Sequence, residues 1–256
     1  MTLCLTFDDG LKTHAEIAAP ALKQRGWSGA FCIPTGLMNP VARKLTPAQA
    51  EDMCLVGHED NLMSWDDVWR MMADGHEVCP HTHDHADLAE LFAAGKKDEI
   101  ERQIARSRET FEKETGRSPA FFCTPHYSTC SFVNRRIRAH HMEVFNCGRA
   151  NFGASYQKGQ VTEFLEKRKK AGWLHVDISV HGITQATGGW EPFDSVEEFI
   201  GFLDEIKALE DRGLVRVVPY SVVHPKPSCI SPLLVLWNRA RNRASIKMSR
   251  FQIGRI

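Results

Sequence analysis

The sequence predicts an α/β fold in which parallel strands alternate with helices and build a barrel, closed or incomplete. Three observations predict it. Short apolar runs recur along the chain, helical patterns with capping signatures separate them, and carboxylates or imidazoles directly follow several of the runs. About seven β/α units are visible, which favours a barrel over an open sheet. No Pro/Gly/Ser-rich linker divides the chain, so a single domain is expected over 1–225, followed by a basic tail over 226–256.

In chain order, residues 3–7 read as a buried strand. Thr13-x-x-Glu16 has the form of a capping box opening a helix towards Gly26, with Pro20 limiting its first turns. Residues 29–33 form a second strand. Ser64 caps a helix with Trp65, Val68, Trp69 and Met72 on its inward face, ended by Gly75. Residues 77–80 form the third strand. Residues 98–115 make a charged helix with Ile100, Ile104 and Phe111 inward and Gly116 as its stop. Residues 120–123 form the fourth strand; a helix over 132–139 and strands over 143–147 and 173–180 follow. Ser195-x-x-Glu198 opens a helix with Phe199, Ile200, Leu203, Ile206 and Leu209 inward, and residues 215–223 close the series as a strand broken by Pro219.

Composition narrows the function. With 256 residues, 43% of them hydrophobic, the chain can bury a sizeable core. Lys+Arg and Asp+Glu both number 32, so overall charge gives no reason to expect a nucleic-acid partner. Past Asp211 there is no acidic residue, and Arg239, Arg241, Arg243, Lys247, Arg250 and Arg255 read as a solvated basic tail. No run approaches the ~20 apolar residues of a spanning helix. The residues after Met1 lack signal-peptide character, so a cytoplasmic location is expected. The eight cysteines include no C-x-x-C pair. Cys4, Cys32, Cys79, Cys123 and Cys147 fall in successive predicted strands, as small buried hydrophobes in a reduced compartment would.

In barrels of parallel strands, chemistry collects at the carboxyl ends of the strands. There the sequence places Asp8-Asp9-Gly10, His81-Thr82-His83-Asp84-His85, Thr124-Pro125-His126-Tyr127 and His181-Gly182. Adjacent aspartates point in different directions, so one can bind a metal while the other faces substrate. His81 and His85 have the i, i+4 spacing that puts two imidazoles on one side of a helical turn. One carboxylate and two histidines leave an open coordination position, the pattern of a catalytic zinc site. Alone, Asp-Asp-Gly reads as a turn and the histidines as a surface cluster; their shared strand-end location speaks for a site.

Thr6-Phe7-Asp8-Asp9-Gly10 resembles the first signature of the polysaccharide deacetylases, the NodB-homology domain or carbohydrate esterase family 4. The run from Gly75-His76-Glu77 through His81-Thr82-His83-Asp84-His85 resembles the second. The resemblance implies a deformed (β/α)7 barrel and a divalent metal, usually zinc. It implies Asp8 as general base, Asp9, His81 and His85 as metal ligands, and a late histidine as the acid that protonates the leaving amine. His181 stands at the matching strand end; His175, of the same strand parity but near the strand start, is its competitor. His76 and His83 are set aside as structural.

The expected reaction is hydrolysis of an N-acyl group, acetyl in the family, from an amino-sugar-like substrate. Pro125, His126, Tyr127 and Trp190 are the candidate substrate contacts, Trp190 by stacking on a sugar face. The sequence departs from the family in two places. Cys123 stands where the third signature carries Arg, with His126, or Tyr127 after a one-residue shift, at its Tyr. The Asp-Trp signature has no clear counterpart; Asn151-Phe152 lies nearest. These departures speak against the family's usual polymer, and the expected cytoplasmic location favours a soluble or lipid-linked sugar. They leave two alternatives open, an amidase acting on a small or cyclic amide and an inactive carbohydrate-binding barrel.

Overall fold

Strand β1 (Thr2–Phe7) divides the apolar residues between two faces. Leu3, Leu5 and Phe7 join the large cluster beneath the helices, where Phe7 stacks on Phe31 at 4.8 Å and meets Phe199 edge-on at 6.4 Å. Cys4 belongs to a second cluster on the opposite face, with Ala30, Cys32, Cys79, Phe121, Cys123, Phe145, Val218 and Tyr220. Small cysteines facing one another fill this narrow inner face without forcing the strands apart. Cys32 and Cys79 are register partners with their sulfurs 3.6 Å apart, and every described cysteine is a free thiol, as expected.

The computed structural model describes residues 1–38, 44–145, 150–154 and 156–224. After β1 come β2 (Ala30–Ile33), β3 (Glu77–Pro80), β4 (Phe121–Cys123), β5 (Glu143–Phe145), β6 (Ala150–Asn151), β7 (His175–Val180) and β8 (Arg216–Val217). The strand pairings are all parallel. The main sheet runs β3-β2-β1-β7-β6, and β4-β5 form a separate pair. β7 covers one edge of β1 along its whole length, from Thr2↔His175 to Phe7↔Val180. The other edge is shared: β8 pairs with Thr2 and Leu3, and β2 with Thr6 and Phe7. Among the described residues no ladder joins β3 to β4 or β5 to β6, so the α/β barrel is incomplete as a hydrogen-bonded cylinder, in keeping with the sequence. Cys147 and the basic tail lie outside the described residues.

Most expected helices form where their caps predict. Ser64 Oγ accepts from Asp67 N, and Asp67 returns the bond to Ser64 N, opening the helix Trp65–Ala73. Left-handed Gly116 ends Lys97–Thr115. Ser195 Oγ accepts from Glu198 N at the start of Val196–Asp211.

Three local expectations fail. Thr13 makes no capping bond: its backbone is already helical, its N–H goes to Asn61 Oδ1, and a π-helical turn, His14–Ala18, follows. Pro20 has no N–H to return to Glu16, which favours widening of that turn. The expected strand over 215–223 shrinks to β8, because Pro219 leads into a short helix, Tyr220–Val223. Trp69 is 44% exposed, with its indole N–H bonded to Glu114 O; Val68 and Met71 take the buried positions.

Candidate active and metal site

The carboxyl ends of β1, β3, β4 and β7 bring the predicted residues together. Asp9 is buried and its Oδ1 lies 3.1 Å from His85 Nε2 and 3.5 Å from His81 Nε2. The three donor atoms lie within 4.8 Å of one another, an Asp/His/His set that fits a divalent ion with coordination positions left open. Burial alone would raise the Asp9 carboxyl, but hydrogen bonds from His81 and His85 outweigh it and hold Asp9 well below the ordinary carboxylate range.

The histidine pair is not on a helical turn. Residues 81–87 contain no helix, and Thr82 (φ 62°) and His85 (φ 63°) are left-handed. Two reversals of the backbone, rather than helical periodicity, bring the imidazoles within 5.2 Å of each other. Asp9 (φ 76°), His126 (φ 58°) and Tyr127 (φ 51°) are left-handed as well. Non-glycine residues persist there only where surrounding contacts hold them, and such positions concentrate at functional sites.

Asp8 is 2% exposed. Its Oδ2 accepts from Ser179 Oγ at 3.2 Å and lies 3.6 Å from His181 Nε2. His181 is thus the late histidine beside the aspartate pair. His175 is not: it hydrogen-bonds Asp177 near the opposite end of β7. The Cys123 sulfur lies within 4.8 Å of the Asp8 carboxylate and of the Cys32 sulfur, so position 123 does adjoin Asp8.

The candidate substrate contacts surround this pair. Pro125 is buried at the start of a single helical turn, Pro125–Tyr127. His126 turns towards His85, their rings 5.2 Å apart, whereas Tyr127 faces the His181 ring at 6.2 Å. Both His126 and Tyr127 therefore line the site. Trp190, 39% exposed, meets the His181 ring edge-on at 4.8 Å. Its neighbour Glu191 is hydrogen-bonded by Asn151, the residue nearest the missing Asp-Trp signature.

Sequence reasoning missed two residues. Asp52 Oδ2 takes the Nδ1–H of His85 at 2.7 Å, and Asp52 Oδ1 lies 3.4 Å from His126 Nε2. Burial opposes a charged His85, yet the bonds to Asp52 and then Asp9 raise it to about 9 in the metal-free protein. Asp52 ends the helix Pro47–Asp52, opened by a full Thr46/Gln49 capping box. That signature was readable, but the contact from its far end was not. His14 Nε2 donates to the His181 carbonyl oxygen at 2.6 Å. Burial lowers His14 to about 4, so it stays neutral and fixes the backbone under His181. His14 stands alone in the sequence, with no spacing to mark it. His76 and His83 are structural as expected: His76 bridges Gly29 N and Ala19 O, and His83 packs on Thr35.

The family model described as polysaccharide deacetylase matches residues 1–145, more than half of the chain. The chain belongs to the polysaccharide deacetylase family. This places it among hydrolases acting on carbon–nitrogen bonds other than peptide bonds. No curated protein matches it by sequence.

Solved structures share its fold at low identity. One is the Bc1960 peptidoglycan N-acetylglucosamine deacetylase, at 16% identity, 86% coverage of each chain and TM-score 0.58. Another is BA3943 of Bacillus anthracis, a carbohydrate esterase family 4 pseudoenzyme, at 14% identity, covering 86% of this chain and 64% of that one, TM-score 0.56. A third is the peptidoglycan deacetylase PdaC of Bacillus subtilis, in a variant form, at 14% identity, covering 97% and 96%, TM-score 0.52. Among the described residues no helix is long and apolar enough to cross a membrane.

Proposed function

We propose that the chain is a metal-dependent deacylase that removes an N-acetyl group from an amino-sugar-like substrate. One observation carries the reading. An Asp9/His81/His85 donor set and an Asp8/His181 acid–base pair converge at the same strand ends. Asp9, His81 and His85 would hold the divalent ion, most simply Zn2+. When bound, the ion supplies Lewis acidity that polarises the acyl oxygen and makes water more acidic.

The chain's own groups do the rest. Asp8, acceptor-only as a carboxylate, takes the proton of the attacking water. His181 gives a proton to the amine nitrogen as the acyl bond breaks, because an amine leaves poorly as an anion. Asp52 and His14 fix His85 and His181 from behind. Trp190 and Tyr127 offer aromatic surface beside His181, suited to the apolar face of a sugar ring.

The departures at Cys123 and around Asn151 speak against the family's usual polymeric substrate. A second reading, a barrel that binds carbohydrate without turning it over, is opposed by the presence of Asp8, Asp9, His81 and His85 together. Metal analysis followed by acetate release from a panel of N-acetylated sugars, monomeric and oligomeric, tests both. Acetate release in proportion to bound metal is expected. A folded, fully metallated protein that binds a sugar and releases no acetate would leave only the binding role.

A further inference from the structure

The amino-terminal pole of the barrel, opposite the strand-end site, carries exposed cations and exposed aliphatic side chains together. The helix Gln160–Lys170 ends there on Lys167, Arg168, Lys169 and Lys170. Lys169 Nζ donates to the carbonyls of Gly213 and Leu214, 3.3 and 3.1 Å away, which ties that helix end to the turn before β8. Arg212 and Arg216, both exposed, flank the same turn. The carboxylates alongside answer only part of this charge. Glu166 pairs with Arg212 at 3.0 Å, and Glu210 and Asp211 pair with Lys207. Among the described residues Lys167, Lys170 and Arg216 make no ion pair.

Two aliphatic residues stand out of the same pole. Leu174, 60% exposed, precedes β7, and its carbonyl accepts from Thr2 N at 3.0 Å. Val222, 57% exposed, lies on the helix Tyr220–Val223, which Ser221 N–H ties to the Glu77 carboxylate at the start of β3. The His175 and His224 rings, next to Leu174 and just past Val222, are 5.3 Å apart, so the two exposed aliphatics come from adjoining segments.

Residues 225–256 leave the barrel from this place. By sequence they hold seven Lys or Arg residues and no Asp or Glu. Their apolar run, residues 230–237, precedes the arginines and ends on Trp237. It is far shorter than the ~20 residues that a spanning helix needs.

A basic pole and a basic tail repel one another, so charge does not draw the tail back over Leu174 and Val222. Both match one anionic partner. A nucleic acid would use the cations alone, whereas the exposed aliphatics and the apolar run call for a partner with an apolar interior as well. A bilayer with anionic headgroups offers both, and firm attachment to it takes two signals, such as a basic patch and an apolar insertion. Tryptophan favours the boundary between the two regions.

We propose that the amino-terminal pole, with the tail that leaves it, docks on an anionic phospholipid surface. Lys167, Lys170 and Arg216 meet the headgroups, Leu174 and Val222 enter the boundary with the acyl chains, and residues 230–237 add the second anchor. The strand-end site then faces away from the bilayer and stays open to solution. Docking of this kind does not depend on the reaction at the other pole.

The test is flotation of the full chain with vesicles. The protein should rise with phosphatidylcholine vesicles that contain phosphatidylglycerol. On phosphatidylcholine alone its binding should fall by about tenfold or more. Added salt should weaken the anionic case. Lys167→Glu/Lys170→Glu/Arg216→Glu and Leu174→Asp/Val222→Asp should each lower binding while circular dichroism stays unchanged, since all five positions are exposed or at a helix end. Leu233→Ser/Leu236→Ser tests the tail, outside the folded barrel, and should lower binding as well. No binding to either vesicle, or equal binding to both, would overturn the proposal. So would a charge-reversed or Leu174/Val222 variant that floats like the parent. Tighter retention on single-stranded RNA than on the anionic vesicles, in the same buffer, would overturn it in favour of a nucleic-acid partner.

Discussion

Replacing Asp52 by Asn tests the arrangement at the strand ends most sharply, because the two consequences have opposite signs. Asp52 is 2.7 Å from His85 Nδ1 and raises His85 to about 9 in the metal-free protein. A raised folded value means that the charged imidazole stabilises the metal-free fold fully below about pH 6.5, and that this is lost as pH rises through 9. Metal uptake runs the other way, since the ligand must first lose its proton. At pH 7, two units below 9, proton competition weakens apparent metal affinity roughly 100-fold. Affinity should therefore climb about tenfold per pH unit from 7 to 9 and then level.

Asp52→Asn keeps the shape and one acceptor but removes the charge. His85 then titrates closer to its ordinary value, and most of the proton competition at pH 7 disappears. Against this, the imidazole becomes a weaker donor and less firmly oriented, which for such outer carboxylates costs roughly 10–100-fold in affinity, or about 1.4–2.8 kcal/mol. The two effects nearly cancel at pH 7, and only the loss remains above pH 9. The assay is chelator competition for zinc from pH 6.5 to 9.5. Parent affinity that stays flat between pH 7 and 9, or parallel curves for parent and variant, would refute the reasoning.

Other consequences are simpler to read. His81→Ala and His85→Ala each remove a ligand and should strip metal from the strand-end site; a full equivalent retained there by both, on elemental analysis, would void the ligand assignment. His181→Ala should lower kcat by about 10²-fold or more with metal retained. A comparable loss from His175→Ala, with none at His181, would transfer the role. Trp190→Ala should raise KM by about tenfold with a smaller effect on kcat, from stacking on the order of 1 kcal/mol, and Trp190→Phe should restore part of it. A fall in kcat at constant KM would speak against a stacking role. Cys123→Arg places a cation beside Asp8 and should move the acidic limb of kcat/KM to lower pH, provided that the variant folds and loads metal. An unmoved limb would show that position 123 does not act on the base.

Much of the fold was legible because strand period and capping chemistry are local. The β3 bounds were read without error, and Ser64 and Ser195 cap as their spacing predicts. Thr13-x-x-Glu16 misled because the same pattern fits a chain already helical at Thr13, and the missing N–H of Pro20 governs that turn instead. Val215 to Val223 looked like one apolar strand because Pro219 can either interrupt a strand or start a helix; the Tyr220 ring, packed on Phe145 and Phe121, fits the second. At the site, motif residues were legible since each follows a strand. Asp52 and His14 were not, because their partners lie 33 and 167 positions away and nothing in local spacing reports such contacts.

The histidine pair shows how two imidazoles can converge as their spacing suggests although the local geometry differs from the one expected. An i, i+4 spacing faces one direction on a helix, but here Thr82 and His85 are left-handed and no helix exists. Left-handed backbone costs a non-glycine residue about 1–3 kcal/mol, so each such position needs compensating contacts. They are present. Thr82 Oγ1 accepts from Ala86 N at 3.0 Å, His85 is held by Asp52 on one nitrogen and Asp9 on the other, and His126 is drawn to Asp52. Asp52 thus braces two left-handed residues at once, from two different loops. The strain and its compensation lie in different segments of the chain, so the conformation that joins His81 to His85 belongs to the folded assembly. The five-residue motif fixes which side chains are available; Asp52 and Asp9 determine where they point.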